Sequence, residues 1–303
     1  MEDRLIFSVV QSSVNAYLAD KAYAMDLLAK RLGPDAKFAY YGDGPNDISA
    51  MLHERTALAA CPSDADPVVK IAIDSMGRTG FVAGSPLLSG FLEAYALAAS
   101  RGIRYFATDR DDSIVSKGDF SNGSEFYEMA RRMGEGCSRH GKEVWPLVYI
   151  ITGGSVQQNL EMLSGFGLDR LGCNRFVRRD PYLVLAENGL RQINVLTGQV
   201  AECTGGIDPL LIGKMPEFQR TVRQLVEPVL KKYGFVWANS SKKGDREVGW
   251  PEKRYGCSVD LPRTVDGLPY RRTESAWPFI KDTLDAMVLA SEQLGLKFGV
   301  FPL

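Results

Sequence analysis

Residues 38–47 read Phe38-Ala39-Tyr40-Tyr41-Gly42-Asp43-Gly44-Pro45-Asn46-Asp47, an apolar run followed by a glycine-rich turn with two carboxylates. An apolar run that ends in glycine predicts a buried β-strand. Ligands of a parallel sheet bind outside the carboxyl ends of its strands. The segment therefore predicts a strand that presents Asp43 and Asp47 to a hard cation at the edge of a sheet.

Helix-like and strand-like segments alternate on both sides of this stretch. A helix is predicted over 20–32, because apolar residues recur there at helical spacing and Gly33-Pro34 follows. The other predicted segments are strands at 37–41, 57–60, 103–108, 147–151 and 182–186, and helices at 48–52, 64–73, 87–99, 124–133 and 156–163. Such alternation is typical of an α/β fold with a Rossmann-like parallel sheet covered by helices.

The pattern changes after Gly205-Gly206, where a separate α+β unit is predicted. Its expected elements are a long helix at 216–233, strands at 235–238 and 258–261, and a last helix at 279–294. Segments 5–10 and 297–301 are both strand-like, and we expect them to pair inside this unit. The 303 residues are thus expected to hold a core at 15–205 and an α+β unit at 206–303 plus 1–14.

Composition excludes several partner classes. The chain has 36 basic and 37 acidic residues and a net charge of -1, so no global field favours nucleic acid or an anionic membrane. The five cysteines form no Cys-x-x-Cys pair, which favours reduced thiols and a cytoplasmic location. Neither a signal peptide nor a membrane-spanning apolar stretch is expected.

Three predicted strands end in groups that suit a metal ion or a phosphate. Asp43 and Asp47 follow one strand, Asp109 and Asp111 a second, and Thr152 a third. Taken singly, each segment is more often a structural turn. Together they would bring four carboxylates to one edge, which is costly without a cation because like charges oppose each other's ionisation. A set of oxygen ligands of this kind favours Mg²⁺.

These segments resemble the motifs of the haloacid dehalogenase superfamily. Asp109-Arg110-Asp111-Asp112-Ser113 resembles its nucleophile motif, Asp-x-Asp-x-Thr/Val, and Thr152 is similar to its second motif. Lys21 and the segment 42–47 are similar to its third and fourth motifs, the latter resembling the Cof-like and sucrose-phosphatase-like sugar phosphatases. Leu183–Gly189 is similar to the strand and turn that precede the C2-type cap of that subgroup. The resemblance covers most of residues 15–205.

The order of the motifs differs from that of the superfamily, in which the nucleophile comes first and the metal loop last. The resemblance therefore implies a circular permutation. Joining 301–303 to 1–3 would restore a continuous cap, with the termini in a hairpin between two cap strands. Residues 80–102 would then connect the superfamily's usual carboxyl and amino ends.

The resemblance implies a role for each candidate residue. Asp109 would attack a phosphoryl group and form an aspartyl-phosphate, while Asp111 would act first as general acid and then as general base. Lys21 would lie beside Asp109 and the phosphate. The implied catalytic residues are Asp109, Asp111, Lys21 and Thr152; the implied substrate-binding residues are Thr152, Gly153, Lys21, Asn188 and Arg254; the candidate metal residues are Asp109, Asp111 through its carbonyl, Asp43 and Asp47.

Some assignments stay open at this point. Asp47 is expected to anchor Lys21 or a metal-bound water rather than to bind the metal directly, and Asn46 could do either. Asp112 stands where the superfamily frequently has glycine. Ser113 replaces a threonine but keeps its hydroxyl.

The expected function is a Mg²⁺-dependent phosphomonoesterase that acts on a small phosphate ester, a sugar or sugar-acid phosphate. The alternatives are a phosphomutase that uses the same aspartate and a binding module without activity. The α+β unit would select the leaving group through one or two residues of a basic set, namely 240–246, Lys253, Arg254, Arg263, Arg271 and Arg272. Trp237, Trp250 and Tyr255 could stack on a sugar, although core packing is the commoner use of such residues. His53 and His140 are given no chemical role.

Overall fold

The computed structural model of the chain describes residues 4–10, 13–115, 146–166, 180–239, 244–270 and 274–300. Its strands are β1 Leu5–Val10, β2 Ser13–Tyr17, β3 Phe38–Tyr41, β4 Thr56–Cys61, β5 Gly80–Val82, β6 Tyr105–Thr108, β7 Leu147–Ile151, β8 Val184–Ala186, β9 Arg191–Ile193, β10 Val200–Glu202, β11 Val236–Trp237, β12 Glu247–Val248, β13 Gly256–Asp260, β14 Thr264–Val265, β15 Leu268–Pro269 and β16 Phe298–Val300. Its α-helices are α1 Lys21–Leu32, α2 Ile48–Met51, α3 Pro67–Ser75, α4 Leu87–Ser100, α5 Val156–Phe166, α6 Pro209–Tyr233 and α7 Trp277–Gln293. Short 3-10 helices lie at Pro45–Asp47, Gly77–Thr79, Glu187–Gly189 and Glu274–Ala276.

The chain divides into two compact units. The large unit is Asp20–Cys203, and the small unit is Met1–Ala19 with Thr204–Leu303. The sequence predicts these boundaries at 14/15 and 205/206 instead of 19/20 and 203/204. Residues 15–19 fall in the small unit because β2 pairs with β1 and β13.

The large unit is α/β, as predicted. Its eight-stranded sheet has the order β10-β9-β8-β7-β6-β3-β4-β5. The neighbours from β8 to β5 all pair in parallel, and β9 and β10 extend the sheet in antiparallel fashion. The sequence does not predict β5, β9 or β10, which are three residues long and lie at or near the sheet's edges.

The central strands are buried on both faces, which is why they read as continuous apolar runs. All four residues of β3 are buried. The ring of Phe91 on α4 packs edge to face on Tyr41 of β3 and on Phe106 of β6. This packing fixes the two strands whose carboxyl ends carry the candidate site.

The predicted alternation of elements is confirmed by the described residues, with shifts at the ends of elements. The largest shift is in α6, which begins at Pro209 rather than at 216. Asp208 caps this helix by accepting a hydrogen bond from the Leu210 amide, and proline suits the first helical position. The predicted helix at 124–133 lies outside the described residues.

The small unit contains a four-stranded sheet of order β13-β2-β1-β16. The predicted pairing of the first and last strands is confirmed, with Leu5 opposite Phe298 and Phe7 opposite Val300. The two strands are parallel, however, so the predicted hairpin between them is wrong, since a tight hairpin joins only antiparallel strands. One face of this sheet packs on α6, where the ring of Phe7 contacts that of Phe218.

Among the helices that the structure describes, none has both the length and the apolar character needed to cross a membrane.

Candidate functional site

Lys21 lies between two aspartates at the carboxyl edge of the large sheet. Its Nζ is 2.6 Å from Asp47 Oδ1 and 2.9 Å from Asp109 Oδ2. The parallel register places Tyr41 opposite Thr108, and the Asp109 amide donates to the Tyr41 carbonyl. The loops that follow β3 and β6 therefore meet, and Lys21 binds a carboxylate from each.

The position of Lys21 follows from how α1 begins and packs. Asp20 caps the helix by accepting a hydrogen bond from the Tyr23 amide, so Lys21 is the first helical residue. Gly189 approaches Ala24 so closely that a Cβ at 189 would lie 2.8 Å from the Ala24 Cβ. This contact holds the first turn of α1 against the turn after β8.

The Asp47 carboxylate accepts three hydrogen bonds. Oδ1 accepts hydrogen bonds from Lys21 Nζ and from the Tyr40 hydroxyl, both at 2.6 Å, and Oδ2 accepts the Gly44 amide at 3.0 Å. Asp47 is fully buried. Its geometry suits an anchor for Lys21.

Asp43 is held by two contacts in the large unit. Ser113 Oγ donates to Asp43 Oδ1 at 2.7 Å, and the Asp43 carbonyl accepts the Asp66 amide at 2.9 Å. Asp112, next to Ser113, has a φ of 57°, a left-handed conformation that aspartate tolerates better than most residues. Glycine would adopt this conformation without strain.

The electrostatics of the cluster favour a bound cation. Burial, and then the charges of Asp47 and Asp109, raise the pKa of Asp43 well above its usual range. The pKa of Asp109 is raised to about 7, because burial together with Asp47 and Asp111 outweighs the lowering by Lys21. Burial alone would lower the pKa of Lys21, but the Asp109 and Asp47 charges reverse the effect, so Lys21 stays an ammonium.

Asp43, Asp47 and Asp109 form a possible metal site, because one carboxylate oxygen of each lies within 4.8 Å of the others. Hard oxygen donors in this number suit a divalent cation such as Mg²⁺. Asp47 already accepts three hydrogen bonds, whereas the Asp43 carboxylate has an oxygen beyond its contact with Ser113. Of the three carboxylates, those of Asp43 and Asp109 are therefore better placed to hold a cation directly, whereas Asp47 anchors Lys21.

Arg110 is a residue of the site that sequence reasoning missed. It is 3% exposed, and its Nε and Nη2 donate to the two oxygens of Asp111 at 2.9 and 2.6 Å. Its Nη1 donates to Asn159 Oδ1 at 2.8 Å. An arginine two residues after the end of a buried strand was the available signal, since an ionised side chain that is buried there must be paired.

Thr152 follows β7, the neighbour of β6, and is buried. Its Oγ1 accepts the Gly154 amide at 3.0 Å, and its carbonyl accepts the Asn188 amide at 3.0 Å. Asn188 has a left-handed backbone in the turn that contacts α1. The structure thus joins Thr152, Gly153 and Asn188 in one connected pair of turns, while the Asp111 carboxylate is directed to Arg110.

The other residues singled out in the sequence are described by their surroundings within their own unit. Arg254 belongs to the small unit, where it is exposed and its guanidinium lies over the Tyr255 ring. Trp237 and Trp250 pack edge to face. His53 is bonded to Asp26 through Nε2 and to the Arg55 amide through Nδ1, which is a structural arrangement. His140, residues 240–243, Arg271 and Arg272 lie outside the described residues.

No protein-family model, no curated protein and no solved structure matches the chain.

Proposed function

We propose that this protein is a Mg²⁺-dependent phosphomonoesterase that works through an aspartyl-phosphate on Asp109. The observation that carries the proposal is the buried ammonium of Lys21, which bridges Asp109 and the anchoring Asp47 at 2.9 and 2.6 Å. A cation placed there offsets the repulsion between an attacking carboxylate and an anionic phosphate. Lys21 is only 1% exposed, whereas a lysine that contacts nothing but solvent lies on the surface.

In the first step, an Asp109 carboxylate oxygen attacks phosphorus and the ester P–O bond breaks. The Asp111 carboxyl gives its proton to the leaving alcohol oxygen. In the structure Arg110 binds both oxygens of the Asp111 carboxylate, which favours its ionised form, so Asp111 must leave this ion pair and take up a proton before it can act as the acid. In the second step, Asp111 takes a proton from water, water oxygen attacks phosphorus, and Asp109 is released with inorganic phosphate.

The cation would be held by Asp43 and Asp109, together with the carbonyl of Asp111. When bound, Mg²⁺ neutralises charge on the phosphate oxygens. Ser113 fixes one Asp43 oxygen, which leaves the other for the cation. Lys21 stays protonated throughout and keeps Asp109 aimed along the shared edge.

The remaining phosphate contacts come from the loop after β7. The Thr152 hydroxyl accepts the Gly154 amide, so its own proton is left to donate to a phosphate oxygen. Gly153, in the same turn, would add a backbone amide. Substrate binding by Asn188 and Arg254 stays a prediction.

We further propose that the large unit is a haloacid dehalogenase-type core with permuted motif order and that the small unit is its C2-type cap. The parallel neighbours β3, β6 and β7 carry the metal loop, the nucleophile and the threonine at one edge. The small unit combines strands from the two ends of the sequence in one sheet, but β1 and β16 run parallel, which does not support the tight hairpin that the permutation implies. A small sugar phosphate or sugar-acid phosphate is the proposed substrate.

The test is phosphate release from a panel of sugar phosphates, sugar-acid phosphates and p-nitrophenyl phosphate, with Mg²⁺ and with EDTA. We expect release only with Mg²⁺ and none from Asp109→Asn. Asp26→Asn is the matched control, because the exposed Asp26 carboxylate contacts only His53 among the described residues and its loss should leave the rate unchanged. Acid quenching followed by mass spectrometry should place a phosphate on Asp109.

Other outcomes decide between the alternatives. Retained turnover by Asp109→Asn contradicts the nucleophile assignment. Dependence on a bisphosphorylated sugar, with an isomerised phosphate ester as product, identifies a phosphomutase. Substrate binding without any turnover identifies a binding module.

A further inference from the structure

Arg110 binds oxygens of two different residues with different nitrogens of its guanidinium. Nε and Nη2 donate to the two carboxylate oxygens of Asp111 at 2.9 and 2.6 Å, and Nη1 donates to Asn159 Oδ1 at 2.8 Å. A guanidinium edge with two parallel donors matches the geometry of a carboxylate and of a phosphate. The Nε–Nη2 edge of Arg110 is therefore a place for one oxyanion, and the Asp111 carboxylate binds there in this structure.

Asn159 anchors the guanidinium independently of Asp111. Its Nδ2 donates to the carbonyl of Ser155 at 2.8 Å and to that of Gly154 at 3.3 Å, which directs its Oδ1 to Arg110. Arg110 is 3% exposed, and Asn159 is fully buried. Arg110 thus keeps a fixed partner whichever anion binds its other edge.

Asp111 is the member of the ion pair that is able to leave. Its side chain is 20% exposed, against 4% for the side chain of Arg110. A carboxylate that turns into water is hydrated again, whereas a buried guanidinium that loses its partner needs another anion. An anion that enters from solvent can therefore displace Asp111 while Arg110 stays in place.

A glycine keeps space open beside the same guanidinium. A Cβ built on Gly154 would lie 3.0 Å from Arg110 Nη2 and 3.3 Å from Thr152 Oγ1. The guanidinium and the hydroxyl therefore flank one small space. Because the Thr152 hydroxyl is the proposed partner of a phosphate oxygen, a second oxygen of the same phosphate would lie within reach of Arg110.

We propose that Arg110 exchanges one anion for another when substrate binds, so that the substrate phosphate replaces the Asp111 carboxylate at Nε and Nη2. The two hydrogen bonds to Asp111 break, two to phosphate oxygens form, and the bond to Asn159 is kept. Asp111 is thereby released to act on the leaving group only when a phosphate is present. The inference rests on the proposed function, because it takes the phosphate to enter beside Thr152.

Calorimetric titration of the full chain with inorganic phosphate, in buffer that contains Mg²⁺, tests the exchange. Arg110→Lys keeps the charge but loses the edge with two donors, so it should bind phosphate about tenfold more weakly. Arg31→Lys is the matched control, because Arg31 likewise binds a carboxylate, of Asp180, and a side-chain amide oxygen, of Gln192. Arg31 lies in the last turn of α1, at the opposite end from Lys21, and its variant should bind phosphate like the parent chain.

Asp111→Asn should change the affinity in the opposite direction. A neutral amide competes less than a carboxylate for the guanidinium, so phosphate should bind about tenfold more tightly. Asp112→Asn removes an equal charge at the next residue, where asparagine tolerates the φ of 57°, and it should change the affinity much less. The tightening by Asp111→Asn should be largely lost in the double variant with Arg110→Lys, because it depends on the interaction between the two residues.

Unfolding temperatures show which variants fold, and if Arg110→Lys does not, the comparison of Asp111→Asn with Asp112→Asn decides. The exchange is overturned if the parent chain binds no phosphate, if a folded Arg110→Lys keeps the parent affinity, or if Asp111→Asn tightens binding no more than Asp112→Asn. The expected affinities without turnover of any phosphate ester contradict the proposed hydrolysis but support the exchange. Turnover with the parent's phosphate affinity in every variant contradicts the exchange alone.

Discussion

Gly42 lies directly beneath the carboxylate of Asp47. A Cβ built at position 42 would be 2.6 Å from Asp47 Oδ2, so no side chain fits there without moving the aspartate. The carboxylate of Asp47 therefore requires a glycine at position 42. The same carboxylate binds the ammonium of Lys21. Residues 42–47 therefore act together to position the Lys21 ammonium.

Gly42→Ala should therefore damage both stability and the site. We expect a loss of about 1–3 kcal/mol, which is typical of overpacking a buried position. Gly213→Ala is the control, because nothing lies near the added methyl group and alanine favours the helix. Chemical denaturation gives the two values; a fully stable Gly42→Ala would mean that Asp47 has room to move.

Asp109→Asn should change stability in a pH-dependent way in EDTA. The pKa of Asp109 is raised to about 7 in the folded chain, first by burial, so the folded state keeps a proton that the unfolded chain has lost. The carboxylate thus destabilises the fold increasingly as the pH rises from about 4 to about 7. The neutral asparagine variant should unfold several degrees above the parent chain near pH 8 but close to it near pH 4. Thermal scans across this range check the sign, and a difference that does not vary with pH contradicts it.

Much of the large unit could be predicted because its central strands are buried on both faces. Their apolar runs end in the residues that carry the site, so strand ends and candidate carboxylates are read from the same segments. Short strands at or next to the edge of the sheet, such as β10 and β9, lack such runs. Their three-residue lengths leave no period to detect.

The pairing of distant groups could not be read from the sequence. Nothing in residues 5–17 shows that Asn15 would meet Ser258, since that contact depends on the register of two strands more than 240 residues apart. The direction of β16 relative to β1 depends in the same way on tertiary packing. Arg110 differs, because an arginine at the end of a buried strand already demands a partner.

Arg110→Met should be strongly destabilising. It leaves the Asp111 carboxylate and Asn159 Oδ1 without a buried guanidinium, and breaking a buried ion pair costs about 3–5 kcal/mol. Arg246→Met removes an arginine that also binds one aspartate through two nitrogens, but on the surface, with Asp266 71% exposed. That variant should lose much less stability, because exposed ion pairs contribute little. Urea denaturation measures the free energy of unfolding of both variants. If Arg110→Met and Arg246→Met lose equal amounts, burial of the Arg110–Asp111 pair adds nothing to stability.

Gly189→Ala tests whether the helix that carries Lys21 is fixed by its contact with the turn after β8. Position 189 has a φ of 97°, and an added Cβ would lie 2.8 Å from the Ala24 Cβ and 2.9 Å from the Ala24 Cα. Alanine is therefore opposed both by the backbone conformation and by α1, which must shift and carry Lys21 with it. Gly198→Ala isolates the first effect, because Gly198 also has a positive φ of 70° while its nearest neighbour, Leu160 Cδ2, is 3.7 Å away. Both variants should lose about 1 kcal/mol from backbone strain, and Gly189→Ala should lose more and also bind Mg²⁺ and substrate poorly. Calorimetric titration of Mg²⁺ into both variants provides the comparison: if the two bind alike, the position of Lys21 does not depend on the contact between α1 and Gly189.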